Sequence, residues 1–326
     1  MNSKWWRVGV PSALVALSLF AAATARAQEW PARPVKFILP YPAGGSTDTL
    51  LRMLSDKLSQ RLGQPFIVES KPGGLTLIGT TEVVRAAPDG YTLLLNSDVI
   101  ALVHLTAKTD FDVRRDLLPI TMLRGGMIGA WVTASLPVNN LQELIAYAKA
   151  NPGKLNYAST GIGSQQHVMF EVFKDRAGGG FDVVQVPYKG DTQTIQALIT
   201  GEVQVLLSSF LQLAPQAKAG KVRLIGAGGT KRSPQFPDVP TYREQGVPTT
   251  HTYWSGFFAP VKMPMEIARK LQTELKAIYQ LPDVYPVLTR NGEDLGGQTP
   301  EEFRKQIVDE AAAYENAVKR IGLKTQ

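Results

Sequence analysis

The sequence predicts an α/β fold built on open, mostly parallel sheets, and three observations lead to this prediction. Short apolar runs bounded by glycine, proline or aspartate are typical of buried strands, and they alternate with stretches of helical apolar spacing. The resulting order β-α-β-α-β occurs twice along the chain. Each occurrence opens with a glycine-rich loop between a strand and a helix. Alternating strands and helices are the pattern of a parallel sheet covered by helices.

The first residues are predicted to be a targeting segment. Lys4 and Arg7 precede an apolar run, and Ala25-Arg26-Ala27 fits the small-x-small pattern of a cleavage site. We therefore expect a signal peptide over residues 1–27, cleaved near Ala27, and export to the periplasm; an uncleaved anchor is the alternative. Cleavage lowers the formal net charge from +7 to +4, because it removes Lys4, Arg7 and Arg26. So small a charge does not indicate a nucleic-acid partner.

The chain contains no cysteine. This excludes disulfides, thiolate metal sites and the lipid-modified cysteine that tethers some exported proteins. The mature chain is therefore expected to be free in its compartment. At roughly 300 residues, it has the length at which one hydrophobic core tends to divide into two domains.

The first unit begins with a predicted strand, Val35 to Leu39, and a glycine loop from Tyr41 to Asp48. Ser46 or Thr47 is the predicted N-cap of the next helix, and Gly63 is its predicted stop signal. A helix start with flanking glycines presents unpaired N–H groups and the positive end of the helix dipole, so an anion could bind there. An ordinary strand-to-helix turn is the alternative. Helical spacing follows the loop at Leu51, Leu54, Leu58 and Leu62.

A strand over residues 64–68, a helix over 76–87 and a strand over 91–95 complete this unit. Ligands of open parallel sheets lie beyond the carboxyl ends of the strands, at a switch point in strand order. This rule predicts ligand contacts from the first loop, including Tyr41 and Ala43, and from the stretch Asn96-Ser97-Asp98.

The second unit repeats the plan after a strand over residues 129–133 and a helix near Leu141. A strand over 155–158 leads into the glycine loop Ser159 to Gly163, and Ser164 is the predicted N-cap. The matching switch-point positions are Ser159 to Gln165, and Ser208. His167 lies in the first turn of this helix, where it faces a ligand or is an ordinary helix-surface histidine. The later predicted elements are a strand over 183–186, a helix over 192–200 and a strand over 203–207.

The remaining chain predicts a strand over 222–226 and a buried strand, Tyr253 to Pro260, that closes back on the first unit. Two helices end the protein. One begins near Pro264, and the other begins at Thr299-Pro300-Glu301-Glu302, a capping box with proline at the first helical position.

Familiar catalytic motifs are missing. The sequence has no G-x-S-x-G, no G-x-G-x-x-G and no phosphate-binding loop, and its three histidines share no metal-ligand spacing. We therefore expect no catalytic residues, no metal and no cofactor. A hydrolase or isomerase is the less favoured alternative, with Asp48, His167 and Lys189 as its candidate groups.

The combination of motifs resembles the Bug-type solute-binding proteins, the periplasmic receptors of tripartite tricarboxylate transporters. The resemblance implies a two-lobed periplasmic-binding-protein (Venus flytrap, type II-like) fold, in which each lobe is a mostly parallel sheet flanked by helices. It places lobe one at residues 28–126 plus 230–326 and lobe two at 127–229. The motifs that carry it are Tyr-Pro-Ala-Gly-Gly-Ser-Thr-Asp (41–48), Lys-Pro-Gly (71–73), Pro-Asp-Gly-Tyr-Thr-Leu (88–93), Ala-Ser-Thr-Gly-Ile-Gly-Ser (158–164), Val-Pro-Tyr-Lys-Gly (186–190) and Trp-Ser-Gly-Phe-Phe-Ala-Pro (254–260).

Members of this family hold a small carboxylate between two glycine loops, through backbone N–H groups, hydroxyls and waters. The resemblance carries this role to Gly44, Gly45, Ser46, Thr47 and Asp48, and to Ser159, Thr160, Gly161, Gly163, Ser164 and Gln165. Together with the switch-point rule, the candidate ligand-binding residues also include Tyr41, Ala43, Ser97, His167, Tyr188 and Ser208.

Two segments depart from the family pattern. Ser70 to Thr76 replaces two usual loop glycines by larger residues, and Ser97 to Asp116 lacks the landmarks common there. Both segments could border the cleft, so the wall that selects the ligand is expected to differ from that of relatives.

The leading hypothesis is a monomeric periplasmic receptor that binds a small carboxylate or dicarboxylate by lobe closure. Membrane transporter subunits would receive the ligand. The alternative partner is a sensor domain, which would make the protein a signalling receptor. Neither version involves nucleic acid.

Overall fold

The computed structural model describes residues 29–290, 293–320 and 322; the predicted signal peptide lies outside the described residues. The first β-α-β-α-β unit is confirmed, with its second strand beginning two residues later than predicted. Strand β1 pairs in parallel with β2 on one side and with β3 on the other. The elements are β1 (Val35–Leu39), α1 (Ser46–Leu62), β2 (Phe66–Ser70), α2 (Leu77–Val84) and β3 (Thr92–Ser97).

A connecting segment and one long strand follow. The segment contains a 3₁₀ turn (Asp98–Ala101) and two single-turn helices, α3 (Val103–Thr106) and α4 (Val113–Asp116). Strand β4 runs from Leu117 to Thr133. The prediction of a strand over 129–133 was therefore too short, because Pro119, Gly125 and Gly126 interrupt the apolar pattern of its first part.

The second unit is also confirmed. Strand β5 pairs in parallel with β6 and β7, as β1 does with its neighbours. Helix α8 was not predicted; Pro215 lies inside it, and proline is normally a signal against a helix interior. The elements are α5 (Leu141–Ala150), β5 (Asn156–Ser159), α6 (Gln165–Arg176), β6 (Val184–Pro187), α7 (Asp191–Thr200), β7 (Val205–Ser209), α8 (Phe210–Lys218) and β8 (Val222–Ala227).

The last part of the chain returns to the first unit. The predicted closing strand is confirmed: β9 pairs with β3 of the first unit, in an antiparallel direction. The capping box is present: the Thr299 N–H donates to Glu302 Oε2 at 2.8 Å, and the Glu302 N–H donates to Thr299 Oγ1 at 3.3 Å. The elements are β9 (Thr252–Pro260), α9 (Met265–Tyr279), α10 (Tyr285–Thr289), β10 (Asp294–Leu295) and α11 (Pro300–Arg320).

The strands form two lobes that share β4. The strand order is β2-β1-β3-β9-β4-β7-β5-β6, with β8 and β10 also paired to β4. From Leu117 to Met127, β4 pairs with β9 of the first lobe, and from Ile128 onwards it pairs with β7 and β8 of the second. Its pairing register shifts at three points. Such bulges bend a strand, which allows one strand to serve both lobes.

The chain crosses between the lobes again just after β8. There the Gly228 N–H donates to the Ile128 carbonyl at 2.9 Å, and the His251 N–H donates to the Gly228 carbonyl at 2.8 Å. A Cβ atom on Gly228 would lie 2.3 Å from the Ile128 oxygen and 2.4 Å from the His251 oxygen. Only glycine fits at this crossing without a shift of the backbone.

Buried apolar contacts fix the two helices that follow the glycine loops. Leu51, Leu54 and Leu58 of α1 are fully buried, in the same cluster as Phe37 of β1. In the second lobe, the rings of Tyr157 and Phe170 stack 3.8 Å apart and join β5 to α6. In the part of the chain that the structure describes, no helix is long and apolar enough to cross a membrane.

Candidate ligand-binding cavity

A cavity of about 640 Å³ lies between the lobes. The second lobe contributes its glycine loop and the first turns of α6, α7 and α8. The first lobe contributes Leu75 and the connecting segment after β3. The lining residues are Leu75, Val99, Leu102, Val103, Thr106, Ile128, Thr160, Ile162, Gly163, Ser164, Gln165, Gln166, Met169, Gly190, Asp191, Leu207, Ser208, Ser209, Leu211, Gln212 and Tyr253.

The second glycine loop presents a group of free N–H donors to this cavity. Ser164 is the N-cap, as predicted, and its Oγ accepts the His167 N–H at 3.3 Å. Gly161 and Gly163 have φ angles of 123° and 79°, which favour glycine. The N–H groups of Ile162, Gln165 and Gln166 have no acceptor within the described part of the chain. Three such N–H groups near a helix start can donate hydrogen bonds to the oxygen atoms of an anion.

Internal hydrogen bonds shape this loop from behind. The Gly163 N–H donates to His167 Nδ1 at 3.0 Å, and the Thr160 N–H donates to Gln166 Oε1 at 2.9 Å. Ser159 Oγ accepts hydrogen bonds from Gln185 Nε2 at 2.7 Å and from the Gly161 N–H at 3.2 Å. These bonds hold the loop in the conformation that leaves the other N–H groups free.

The first glycine loop has the same plan with a different cap. The predicted N-cap, Ser46 or Thr47, was wrong: the N-cap is Gly45. Its extended backbone directs its carbonyl towards the Thr49 N–H, at 3.0 Å, so the helix begins one residue earlier. The N–H groups from Gly45 to Asp48 have no acceptor among the residues described, and these residues do not line the 640 Å³ cavity.

Asp48 holds the first loop together. Its Oδ2 accepts the Gly44 N–H at 2.9 Å and Arg52 Nε at 3.0 Å, and its side chain is buried. The hydrogen bond from Arg52, followed by that from Gly44, lowers the pKa of this carboxyl group. Asp48 is therefore an ionised residue with a structural role in the loop.

A chain of polar contacts connects the two loops. The Tyr41 hydroxyl lies 2.9 Å from Asn96 Oδ1 and 2.8 Å from Ser97 Oγ. The next residue, Asp98, places its Oδ2 2.5 Å from Nε2 of Gln165, the first residue of α6. This last hydrogen bond crosses from the first lobe to the helix start of the second.

Asp98 belongs to a pair of acidic side chains, of which Asp98 is buried and Glu310 is half-buried. Glu310 of α11 accepts Trp254 Nε1 at 2.7 Å and the Tyr314 hydroxyl at 2.8 Å. Desolvation raises the pKa of Glu310 to about 7. Desolvation, together with the charge of Glu310, raises the pKa of Asp98 to about 8. At neutral pH, the pair therefore retains a proton.

The predicted site residues divide into two groups. Two of the second-lobe candidates lie outside the cavity wall. His167 is half-buried, and burial lowers its pKa. The Tyr188 hydroxyl donates to Glu202 Oε1 at 2.8 Å. Those that line the cavity are Thr160, Gly163, Ser164, Gln165 and Ser208. Those that do not are Tyr41, Ala43, Gly44, Gly45, Ser46, Thr47, Asp48, Ser97, Ser159, Gly161, His167 and Tyr188.

The sequence interpretation missed most of the apolar wall and one polar arc. The arc centres on Asp191, which accepts Gln166 Nε2 at 2.9 Å and Gln212 Nε2 at 3.1 Å. Gln212 lies on the unpredicted helix α8. The two segments that depart from the family pattern did indicate part of this apolar wall. They supply Leu75 and the group Val99, Leu102, Val103 and Thr106.

Comparisons with known proteins agree over nearly the whole chain. A family model described as "Tripartite tricarboxylate transporter family receptor" matches residues 50–323. The chain is 39% identical over 278 residues to a UPF0065 protein from the gbd 5' region of Cupriavidus necator, covering 85% of this chain and 84% of that protein. It is 32% identical over 307 residues to BugT of Bordetella pertussis, covering 93% and 94%.

Solved structures give the same result. A TctC solute-binding protein from Polaromonas, without ligand, superposes with a TM-score of 0.82 at 25% identity, covering 89% of this chain and 99% of that one. R. palustris Rpa4515, solved with adipate, has a TM-score of 0.70 at 30% identity, covering 91% and 100%.

Proposed function

The chain belongs to the tripartite tricarboxylate transporter receptor family, and from this membership and its cavity we propose that it binds a small organic carboxylate between its lobes. The protein captures the ligand in the periplasm and delivers it to membrane transporter subunits. The predicted signal peptide over residues 1–27 accounts for its export.

One observation carries the proposal. The second loop places free N–H groups of Ile162, Gln165 and Gln166 at the wall of the interlobe cavity. A carboxylate has lone pairs for these donors, and the positive end of the α6 dipole attracts its charge. The lining residues include no lysine, arginine or histidine, so the attraction comes from the backbone and neutral side chains.

Lobe closure completes the site. We assign lobe one to residues 28–126 plus 230–326 and lobe two to 127–229, joined by β4 and by the crossing at Gly228. Rotation about these connections brings the free N–H groups of the first loop towards the ligand. The free energy of closure comes from the tighter binding of the ligand by the closed form.

The same contacts favour a receptor over an enzyme. Asp48 is ion-paired to Arg52, and His167 Nδ1 is occupied by the Gly163 N–H. Neither group is free to take a proton from a substrate in the cavity.

Thermal-shift measurement and calorimetry test the proposal. The purified protein is heated with a panel of mono- and dicarboxylic acids, and with the methyl ester of each as an uncharged control. A bound acid at about 100 times its Kd stabilises the fold by about 2.7 kcal/mol and should raise Tm by about 4 °C, while its ester should not. A folded protein that no acid stabilises, or that esters stabilise equally, would contradict the proposal.

A further inference from the structure

The cavity wall exposes large apolar side chains. Leu75 of the first lobe is 65% exposed, and Ile162 and Leu211 of the second lobe are 63% and 46% exposed. All three line the same cavity, together with half-buried Val99 and buried Leu102 and Val103 of the Val99 to Val103 segment. Exposed apolar side chains gathered in one concave site indicate an apolar binding partner.

Leu75 reaches this wall through an unusual backbone. Leu75 and Thr76 have φ angles of 53° and 73°, in the left-handed region that disfavours residues with a Cβ atom. Glycine would adopt this conformation freely, so the leucine side chain has a use that offsets the strain. Asn96, fully buried, fixes the turn by donating to Thr76 Oγ1 at 3.2 Å and to Thr80 Oγ1 at 3.0 Å.

The charges around the cavity disfavour a second carboxylate on the ligand. Among the described residues that line the cavity, Asp191 is the one acidic side chain, and none is a lysine, arginine or histidine. The two side-chain oxygens of Asp191 accept one amide N–H each from Gln166 and Gln212, and Asp98 accepts one from Gln165. A second anionic end would therefore find no lysine, arginine or histidine among the lining residues, and its charge would be repelled by Asp191.

We infer that the ligand is a monocarboxylate with an apolar body, such as an aromatic or aliphatic acid, rather than a dicarboxylate. The carboxylate binds the free N–H groups of the second loop, and the body lies against Leu75, Leu211 and the Val99 to Val103 wall. This inference rests on the proposed function. It sets the chain apart from the relative that was solved with adipate.

Matched pairs of acids test the inference. Calorimetry at pH 7.5 compares hexanoate with adipate, and benzoate with terephthalate; each pair differs by one added carboxylate. We expect the monocarboxylate of at least one pair to bind at least tenfold more tightly than its partner. Dicarboxylates that bind as tightly or more tightly would overturn the inference and leave the proposed function intact. Failure of every acid to bind would instead contradict the proposed function.

Variants test the wall itself. Leu75→Gly removes the apolar side chain and relieves the left-handed strain, so it should leave Tm unchanged or higher while weakening monocarboxylate binding about tenfold. Ile67→Ala, which shortens an exposed apolar side chain on β2 away from the cavity, is the control and should bind normally. Asp191→Asn should reduce the difference in affinity between the monocarboxylate and the dicarboxylate of each pair. Unchanged binding by the Leu75→Gly variant would overturn the assigned position of the apolar body.

Discussion

At the scale of single residues, Asp48 shows how one side chain organises a glycine loop. It lies in the first turn of α1 and reaches back to the Gly44 N–H, while it also pairs with Arg52 one turn later. Negative charge at this end of a helix is favourable, and each hydrogen bond to it is stronger because the acceptor is ionised.

Replacing Asp48 should therefore destabilise the protein. Asp48→Asn is expected to cost about 1–2 kcal/mol of unfolding free energy at pH 7, measured by urea denaturation. Because the native pKa of Asp48 is lowered, this cost should shrink as the pH falls below about 4: the unfolded carboxyl then takes up a proton, while the native one takes it up only at still lower pH. Asp56→Asn, an exposed position on the same helix, is the control. Equal effects of the two substitutions would contradict the role given to Asp48.

Gln165 offers a test of the anion site. Gln165→Glu keeps the size of the side chain but places a negative charge at the start of α6, beside the free N–H groups and Asp98. Any carboxylate ligand should bind at least tenfold more weakly, as measured by calorimetry, because like charges then meet in the cavity. Gln196→Glu adds the same charge at an exposed position on α7 and should bind normally. Retained affinity in the first variant would place the carboxylate elsewhere.

The sequence predicts individual residues well where local chemistry decides. Ser164 as an N-cap and the Thr299–Glu302 capping box depend on neighbours within one turn, and both are confirmed. The Gly45 cap is different, because a glycine N-cap has no side-chain signal and the adjacent Ser46 is a stronger candidate. Leu75 and Leu211 could not be assigned to one wall, because they meet only through the packing of two lobes.

At the scale of elements, β4 and the crossing beside it connect the lobes. β4 passes from β9 to β7, and the Gly228 backbone bonds to both Ile128 and His251 at the point of passage. The sequence predicts both repeated units because each strand and helix is continuous. It predicts only the end of β4, since a bulged strand with a proline and two adjacent glycines has no regular period.

The crossing predicts an effect of adding a single methyl group. In Gly228→Ala, the new Cβ would meet two carbonyl oxygens at 2.3 and 2.4 Å, so the two connections must separate. We expect a loss of about 1–3 kcal/mol of unfolding free energy. Gly190→Ala is the matched control, because a Cβ there meets nothing within 4 Å and the backbone is extended.

Chemical denaturation of the two alanine variants measures the difference. A Gly228→Ala protein as stable as the control would show that the backbone at this crossing accommodates a Cβ atom without loss of stability. The same variant should also bind ligand more weakly, since the connections that it displaces are those about which the lobes close.

At the scale of the whole molecule, Asp98 and Glu310 place two carboxyl groups where the lobes and α11 meet. Three tyrosines also interact with the charge of Asp98: Tyr41 from the first loop, Tyr253 from β9 and Tyr314 from α11. Burial raises the pKa of each, so they remain neutral below pH 9. The pH response of this region therefore belongs to the two acids.

The raised pKa of Asp98 gives the pH response a definite sign. The native carboxyl keeps its proton up to about pH 8, whereas the unfolded one loses it near pH 4, so this contribution to stability falls as the pH rises between those values. Buried His251 acts in the opposite sense: burial lowers its pKa to about 3, so its contribution is lost as the pH falls below about 6.5. A single stability profile mixes the two effects.

Comparison with Asp98→Asn separates them. The variant keeps the shape and removes the titration, so its stability relative to the original protein should increase by on the order of 2 kcal/mol between pH 5.5 and pH 8.5. Glu310→Gln should change the profile in the same direction, because it removes the charge that raises the pKa of Asp98. His251→Phe should change the stability profile in the opposite direction, because it removes the loss of stability that His251 causes as the pH falls below about 6.5. Parallel profiles for the original protein and Asp98→Asn would mean that Asp98 is ionised throughout this range, with water or Gln165 compensating its charge across the lobe boundary.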